Sequence, residues 1–277
     1  MCSEGLDRAT ANGAELRYRR TGGGRPVVLV HTLRTQLEYF DRLLEHLDTA
    51  EVEVFAIDLP GHGESSAPAV DYTADYFTDS VAALLDRLAL TDVVVVGESI
   101  GGTIALALAA RHDPRVARVV AVNPYDYGRR GGIRRSSPLA NVLFTAILWP
   151  GVGPIVARAG TPGILCRVME GGLYDPGLLP AALIDQMYRC GRLPGHARAF
   201  RSLNTQWRTW VAARSRYPQI GLPVTLVYGS DDWSRPDERE ANTRSIPSVR
   251  TVSLERCGHF ASLERPDAVA RLIDDAA

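Results

Sequence analysis

A serine hydroxyl attacks a carbonyl only when a base takes its proton, and three stretches of the chain supply residue types for that reaction. Gly97-Glu98-Ser99-Ile100-Gly101 holds a serine between two glycines, Gly229-Ser230-Asp231-Asp232-Trp233 holds two carboxylates, and Cys257-Gly258-His259-Phe260 holds a histidine. The glycines have a steric reason. A serine in a sharp strand-to-helix turn is strained, and side chains at 97 or 101 would meet neighbouring backbone. The rival reading makes Ser99 only the N-cap of the following helix.

Each group needs an element to hold it. Val93-Val-Val-Val96 before the serine is a continuous apolar run, and an alanine-rich helix pattern reaches from Ser99 to about Arg111. Apolar strands 224–228 and 249–254 precede the aspartates and the histidine, so all three groups fall at the carboxyl ends of strands, where a parallel sheet opens a ligand crevice. The remainder follows the same grammar. Strands are expected at 14–20 and 26–31 about the turn Gly22-Gly23-Gly24, then at 52–57 and 116–122, with helices at 38–48, 74–89, 236–245 and from about Pro266. Residues 125–218 show no strand-like run, only helical apolar spacing broken by glycine and proline. The expected fold class is α/β, a mostly parallel doubly wound sheet with a helical cap insertion. Its parts are residues 1–124 and 219–277 for the core and 125–218 for the cap.

With these pieces assembled, the chain resembles the α/β-hydrolase superfamily over nearly its whole length. The resemblance rests on Val28-Leu-Val-His31, Asp58-Leu-Pro-Gly-His-Gly-Glu-Ser65, Gly97-Glu-Ser-Ile-Gly-Gly102, Tyr228-Gly-Ser-Asp-Asp232 and Cys257-Gly-His-Phe260, in that order. It implies Ser99 as nucleophile, His259 as base and Asp232 as orienting acid, with Asp231 and Asp126 as lesser candidates for the acid. It also implies an oxyanion hole formed by the backbone amides of Ile100 and Leu33. The loop His31-Thr-Leu-Arg-Thr35 departs from the His-Gly pair frequent in the family and looks like the corresponding loop of enol-lactonases. Serine at 99 argues against the epoxide-opening and halide-removing branches, which use aspartate there.

Several residues admit plainer roles. His31 ends a buried strand and reads as a structural hydrogen-bonding group, and Asp58, His62 and Glu64 read as a family loop in preference to a metal set. Arg129, Arg130, Arg134 and Arg135 read as solvated surface, with an anionic carrier-protein or coenzyme A arm as the alternative. Leu139, Val142, Leu143, Ile147 and Trp149 lie in the uncharged tract 136–157 and are expected to roof the active site. Trp233, Phe260, Glu98 and Arg34 complete the set expected near a substrate, Arg34 either as an anchor for a polar group or as a surface arginine.

Composition narrows the partners. With a formal net charge of -1, 45% hydrophobic and 23% charged residues, the chain has the balance of a folded globular protein and no field recommending nucleic acid. All 31 basic residues are arginine, which excludes a P-loop and a lysine Schiff base. Cys2, Cys166, Cys190 and Cys257 lack metal-ligand spacing and read as free thiols of a cytoplasmic protein. The tract 136–157 is cut by Pro150-Gly-Val-Gly-Pro154 into pieces too short to cross a bilayer, so membrane contact is not expected. The function expected is hydrolysis of an ester, lactone or thioester of a largely apolar small molecule through an acyl-serine, with no cofactor and no metal. Carbon-carbon bond hydrolysis, a non-hydrolytic lyase or cyclase, and a small-molecule receptor are the alternatives.

Overall fold

The computed structural model describes residues 5–128 and 131–276. Eight strands, β1 Gly5–Ala11, β2 Ala14–Gly22, β3 Arg25–Val30, β4 Val52–Ile57, β5 Val93–Glu98, β6 Val116–Val122, β7 Val224–Gly229 and β8 Val249–Leu254, form one sheet. Its order is β1-β2-β4-β3-β5-β6-β7-β8. Only β1 with β2 and β2 with β4 run antiparallel; every later pair is parallel. Among the described residues the helices are α1 Asp41–Leu44, α2 Ala74–Arg87, α3 Ile100–Ala109, α4 Pro138–Ala146, α5 Gly153–Arg158, α6 Pro162–Glu170, α7 Ala181–Cys190, α8 His196–Thr205, α9 Trp207–Ala213, α10 Pro236–Ser245, α11 Ala261–Glu264 and α12 Pro266–Asp274. Between β6 and β7 the described regular elements are all helical, α4 to α9 with short 3-10 turns. No helix among the described residues is long and apolar enough to cross a membrane.

The core sits on the central strands. Every residue of β5 and every residue of α3 is buried, which explains why, Glu98 apart, these segments are apolar or small on all sides, without the polar face of a surface helix. This buried strand-helix pair is the rigid frame that carries Ser99.

Two local features differ from the sequence expectation, and the strand order adds a third that it left open. β1 was not foreseen: Gly-Leu-Asp-Arg-Ala-Thr-Ala has few β-branched residues and buries only Ala9 and Ala11, because it is an edge strand held by its ladder with β2. β2 and β3 flank the glycine turn but are not neighbours, since β4 lies between them. The helix expected at 38–48 is a 3-10 turn, Leu37–Phe40, and the single turn α1. Beyond α1 the amides of His46 and Leu47 bond back three residues, to Leu43 and Leu44, so the chain tightens into turns instead of continuing the helix.

Asp58 fixes the loop that follows β4. Its buried carboxylate accepts from Arg17 Nε (2.6 Å) and from the amides of Leu37 (2.7 Å) and Glu64 (2.8 Å), while Arg17 also reaches Glu38 (2.9 Å). Gly63 passes so close that a Cβ there would stand 2.0 Å from Asp58 Oδ2. The Pro-Gly-His-Gly loop is thus wrapped around an ion pair, and Asp58 is engaged by protein donors. Burial raises the Asp58 pKa, with the Arg17 hydrogen bond and charge opposing that rise. Removing one partner of such a pair leaves the other charge buried and alone. Asp58→Ala is therefore expected to cost about 3–5 kcal/mol in denaturant unfolding. A loss no larger than that of an exposed substitution would contradict this role.

Candidate active site

β5 ends at Glu98, and α3 begins at Ile100, leaving Ser99 alone to make the turn with φ 59° and ψ -117°. A side-chain-bearing residue adopts that backbone only where its surroundings impose it. They do so by contact. A Cβ on Gly97 would lie 2.0 Å from the carbonyl oxygen of Gly101, and one on Gly101 2.0 Å from that of Val30. The turn is packed against itself on one side and against the end of β3 on the other.

Ser99 Oγ lies 2.9 Å from His259 Nε2, and His259 Nδ1 lies 2.5 Å from Asp232 Oδ1. All three side chains are buried. Because the carboxylate can only accept, Nδ1 carries the proton and Nε2 is free to accept from the serine hydroxyl. Burial would raise the Asp232 pKa, but the charge and hydrogen bond of His259, together with hydrogen bonds from Ser234, outweigh it and hold the carboxyl below its usual range. Its second oxygen accepts from the Ser234 amide (2.9 Å), the Ser234 hydroxyl and the Tyr127 hydroxyl (3.1 Å). Asp231 is exposed and takes only the Ser230 hydroxyl, 2.7 Å away. Asp126 is buried but committed to Tyr217 and Asn242, each at 3.0 Å.

The histidine is clamped from several directions. Trp233 stacks on its imidazole at 3.8 Å between centroids and 17° between planes, and Phe260 meets it edge-on at 5.2 Å. Its amide donates to Gly172 O at 2.6 Å, and the Trp233 indole donates to Gly171 O at 3.1 Å. Gly171 and Gly172 follow α6, so the helical stretch between β6 and β7 holds the loop that carries His259. From the core side, Asn123 donates to the carbonyls of Gly258 (3.2 Å) and His259 (3.0 Å). Tyr127, Ser234, Asn123 and the Gly171-Gly172 turn were not singled out in the sequence. Asn123 and Tyr127, just beyond β6, carried the only local hint, since that strand end faces the same crevice.

Ser99 opens on a cavity of about 140 Å³ walled almost entirely by apolar side chains, including Leu33, Leu143, Ile147, Trp233 and Phe260. Arg34 also lines it. As the first residue of α3, Ile100 has an amide without an intrahelical acceptor. His31 Nε2 accepts from the Leu59 amide (3.0 Å) and its Nδ1 bonds Thr32 O (2.7 Å), which pins the loop bearing Leu33. Burial lowers the His31 pKa to about 4, so this ring stays neutral in its structural place.

Two expected substrate contacts lie elsewhere. Trp149 is 57% exposed and does not wall the cavity; α4 presents Leu143 and Ile147 inward at helical spacing, and the turn after it carries Trp149 outward, as the helix period also does Val142 (65% exposed). Glu98 points away from the cavity into the core, where its carboxylate accepts from the Ser262 hydroxyl at 2.6 Å. The two described members of the basic cluster are structural as well: Arg134 donates to Phe144 O, and Arg135 holds Glu238 (2.6 Å) and Trp233 O (2.9 Å). Arg129 and Arg130, like Cys2, lie outside the described residues.

A family model of the alpha/beta hydrolase fold matches residues 25–148, the stretch that contains the serine turn. The chain belongs to the α/β-hydrolase superfamily. This α/β-hydrolase is 29% identical over 276 residues to the 2-hydroxy-6-oxo-2,4-heptadienoate hydrolase of Pseudomonas putida, covering 96% of this chain and 93% of that one. It superposes on the enol-lactonase of Burkholderia xenovorans with a TM-score of 0.76 at 26% identity, covering 98% and 99% of the two chains. A meta-cleavage product hydrolase of Pseudomonas fluorescens shares the fold, with a TM-score of 0.80 at 20% identity over 99% of this chain and 97% of that one. The relatives named here are hydrolases.

Glu98 supplies a pH test of the site's foundation. Burial pushes its pKa from 4.5 up to about 7, against the Ser262 hydrogen bonds that favour the charged form. Such an acid binds its proton more tightly folded than unfolded, so its contribution to stability falls as pH rises from about 4.5 to about 7. Glu98→Gln should remove that part of the fall, and its stability relative to wild type should improve between about pH 5 and pH 8 in urea unfolding. A difference independent of pH would contradict the assignment.

Proposed function

We propose that this protein hydrolyses an ester, lactone or thioester of a largely apolar small molecule through a covalent acyl-Ser99 intermediate. The observation that carries this reading is the unbroken hydrogen-bonded line from Asp232 through His259 to Ser99 Oγ at the wall of an apolar cavity. His259 Nε2 takes the hydroxyl proton as Oγ bonds to the carbonyl carbon. Asp232 stabilises the imidazolium that forms and keeps its proton on Nδ1. The amides of Ile100 and Leu33 receive the negative oxygen of the tetrahedral intermediate. On collapse the leaving oxygen or sulfur takes the proton from His259, and in a lactone it remains tethered to the acyl group. Water then gives its proton to His259, attacks the acyl carbon and regenerates Ser99. Electron pairs and protons are carried by substrate, water and these side chains alone.

The apolar walls favour a hydrocarbon body, whose burial stabilises the complex by about 25 cal/mol per Å² of apolar surface. Carbon-carbon bond hydrolysis is a second reading, favoured by the likeness to the Pseudomonas putida hydrolase over 96% of this chain. Product analysis separates the two. An acid plus an alcohol or thiol marks the first, an acid plus a new C–H bond the second.

Ser99→Ala and Asp232→Asn should each lower kcat by roughly 10⁴-fold or more in proteins that melt like wild type. Asp231→Asn should change it by less than about threefold, as expected for an exposed group. Substantial turnover by folded Ser99→Ala would defeat the mechanism, and equal effects of the two aspartate variants would defeat the choice of acid.

A further inference from the structure

Arg34 brings a charge into a place where, among the described residues, it forms no ion pair. It lies one residue beyond Leu33, in the loop after β3, and lines both the cavity before Ser99 and the adjoining crevice formed by His62, Cys190, His196 and Phe200. Neither space is lined by an aspartate or glutamate among the described residues. The guanidinium lies over the Phe200 ring at 4.5 Å, yet its Nε is buried without a hydrogen-bond partner. Among the described residues Arg34 forms no ion pair. Arg34 makes both His62 and His196 harder to protonate, and the carboxylate behind the crevice wall, Asp58, is already taken by Arg17.

Two further details show that the placement is built. Arg34 has φ 69°, a left-handed conformation that glycine or asparagine would adopt more readily. The cap also brings Gly191 close to the guanidinium, where an added Cβ would stand 2.7 Å from its terminal nitrogen. A long cation is thus held at a strained position, in an apolar enclosure, with space kept clear around its head. Burial lowers its pKa to about 10, which leaves it charged at neutral pH. Buried charges are stabilised by pairing, and here the open side for a partner is the ligand space.

We propose that Arg34 is the anchor for a carboxylate carried by the substrate, so that the molecule hydrolysed is an apolar acyl compound with one carboxylate group on the oxyanion-loop side of the reacting carbonyl. This rests on the reading of Ser99 as nucleophile, which defines the reacting end of the cavity. The planar fork of a guanidinium matches a carboxylate with two parallel hydrogen bonds. Phe200 fixes the plane of that fork from one face, and the apolar walls accept the hydrocarbon between the two polar ends.

Binding can be read without turnover. Hexanoate and hexanamide differ at one end in charge and little in shape, and calorimetry on wild type, Arg34→Gly and Arg34→Asn compares them. Both replacements suit the left-handed backbone and remove the charge. Wild type should bind hexanoate more tightly than hexanamide, and both variants should lose about 10- to 100-fold in hexanoate affinity, the equivalent of one charge-assisted hydrogen-bonded pair. Hexanamide affinity should change by less than about threefold, which shows that the cavity is intact. Hexanoate affinity that survives in the variants, or an equal loss for both ligands, would overturn the anchor. Because the readout is equilibrium binding, failure of the anchor is distinguishable from failure of the acyl-serine reading, which shows in the turnover of Ser99→Ala.

Discussion

The backbone at Ser99 is the constraint on which the rest of the site depends. A single residue joins a fully buried strand to a fully buried helix, and it does so in a positive-φ conformation that an ordinary turn would avoid. Such a conformation survives only when the surrounding structure over-determines it. Here the determinants are the burial of β5 and α3 and the absence of side chains at Gly97 and Gly101. The result is that Ser99 stands at the carboxyl end of β5, next to the Ile100 amide freed at the start of α3. The Ser99 hydroxyl and the Ile100 amide thus come from one local geometry.

The helices between β6 and β7 do more than wall the cavity before this turn. Through Gly171 and Gly172 it supplies acceptors for the Trp233 indole and the His259 amide, and through Arg135 it grips the carbonyl of Trp233. His259 is consequently fixed by the same helices that wall the cavity. Asp126 and Asp232 illustrate how neighbours divide two buried carboxyls. Burial raises both, but Asp126, hydrogen-bonded to Tyr217 and Asn242, stays up at about 6, whereas the His259 and Ser234 contacts hold Asp232 below its ordinary range. Only the second has an imidazole to orient.

Much of this was readable from residue type and spacing. The serine, aspartate and histidine were legible because each sits in a short loop after an apolar strand, and such strands announce themselves as continuous valine and leucine runs. The helical stretch between β6 and β7 was legible as a region without such runs. Side-chain direction was not. Glu98 adjoins Ser99 in sequence, yet alternation along β5 sends it to the opposite side, to Ser262. Leu143 and Trp149 share one uncharged tract, but the helix period and the turn after α4 send them apart. β1, with its mixed polar sequence, is a strand because of its ladder with β2, a tertiary cause that local propensity does not carry.

The central claim is that Ser99 is a nucleophile activated by His259 and is ready before any substrate arrives. Intact-mass measurement after exposure to a fluorophosphonate tests it directly, since the reagent bonds to an activated serine hydroxyl and expels fluoride. The account predicts one adduct per chain, mapped by peptide sequencing to Ser99, absent from Ser99→Ala and formed far more slowly by His259→Ala. A folded wild-type protein that stays unmodified, or one in which the adduct persists in Ser99→Ala, would contradict it.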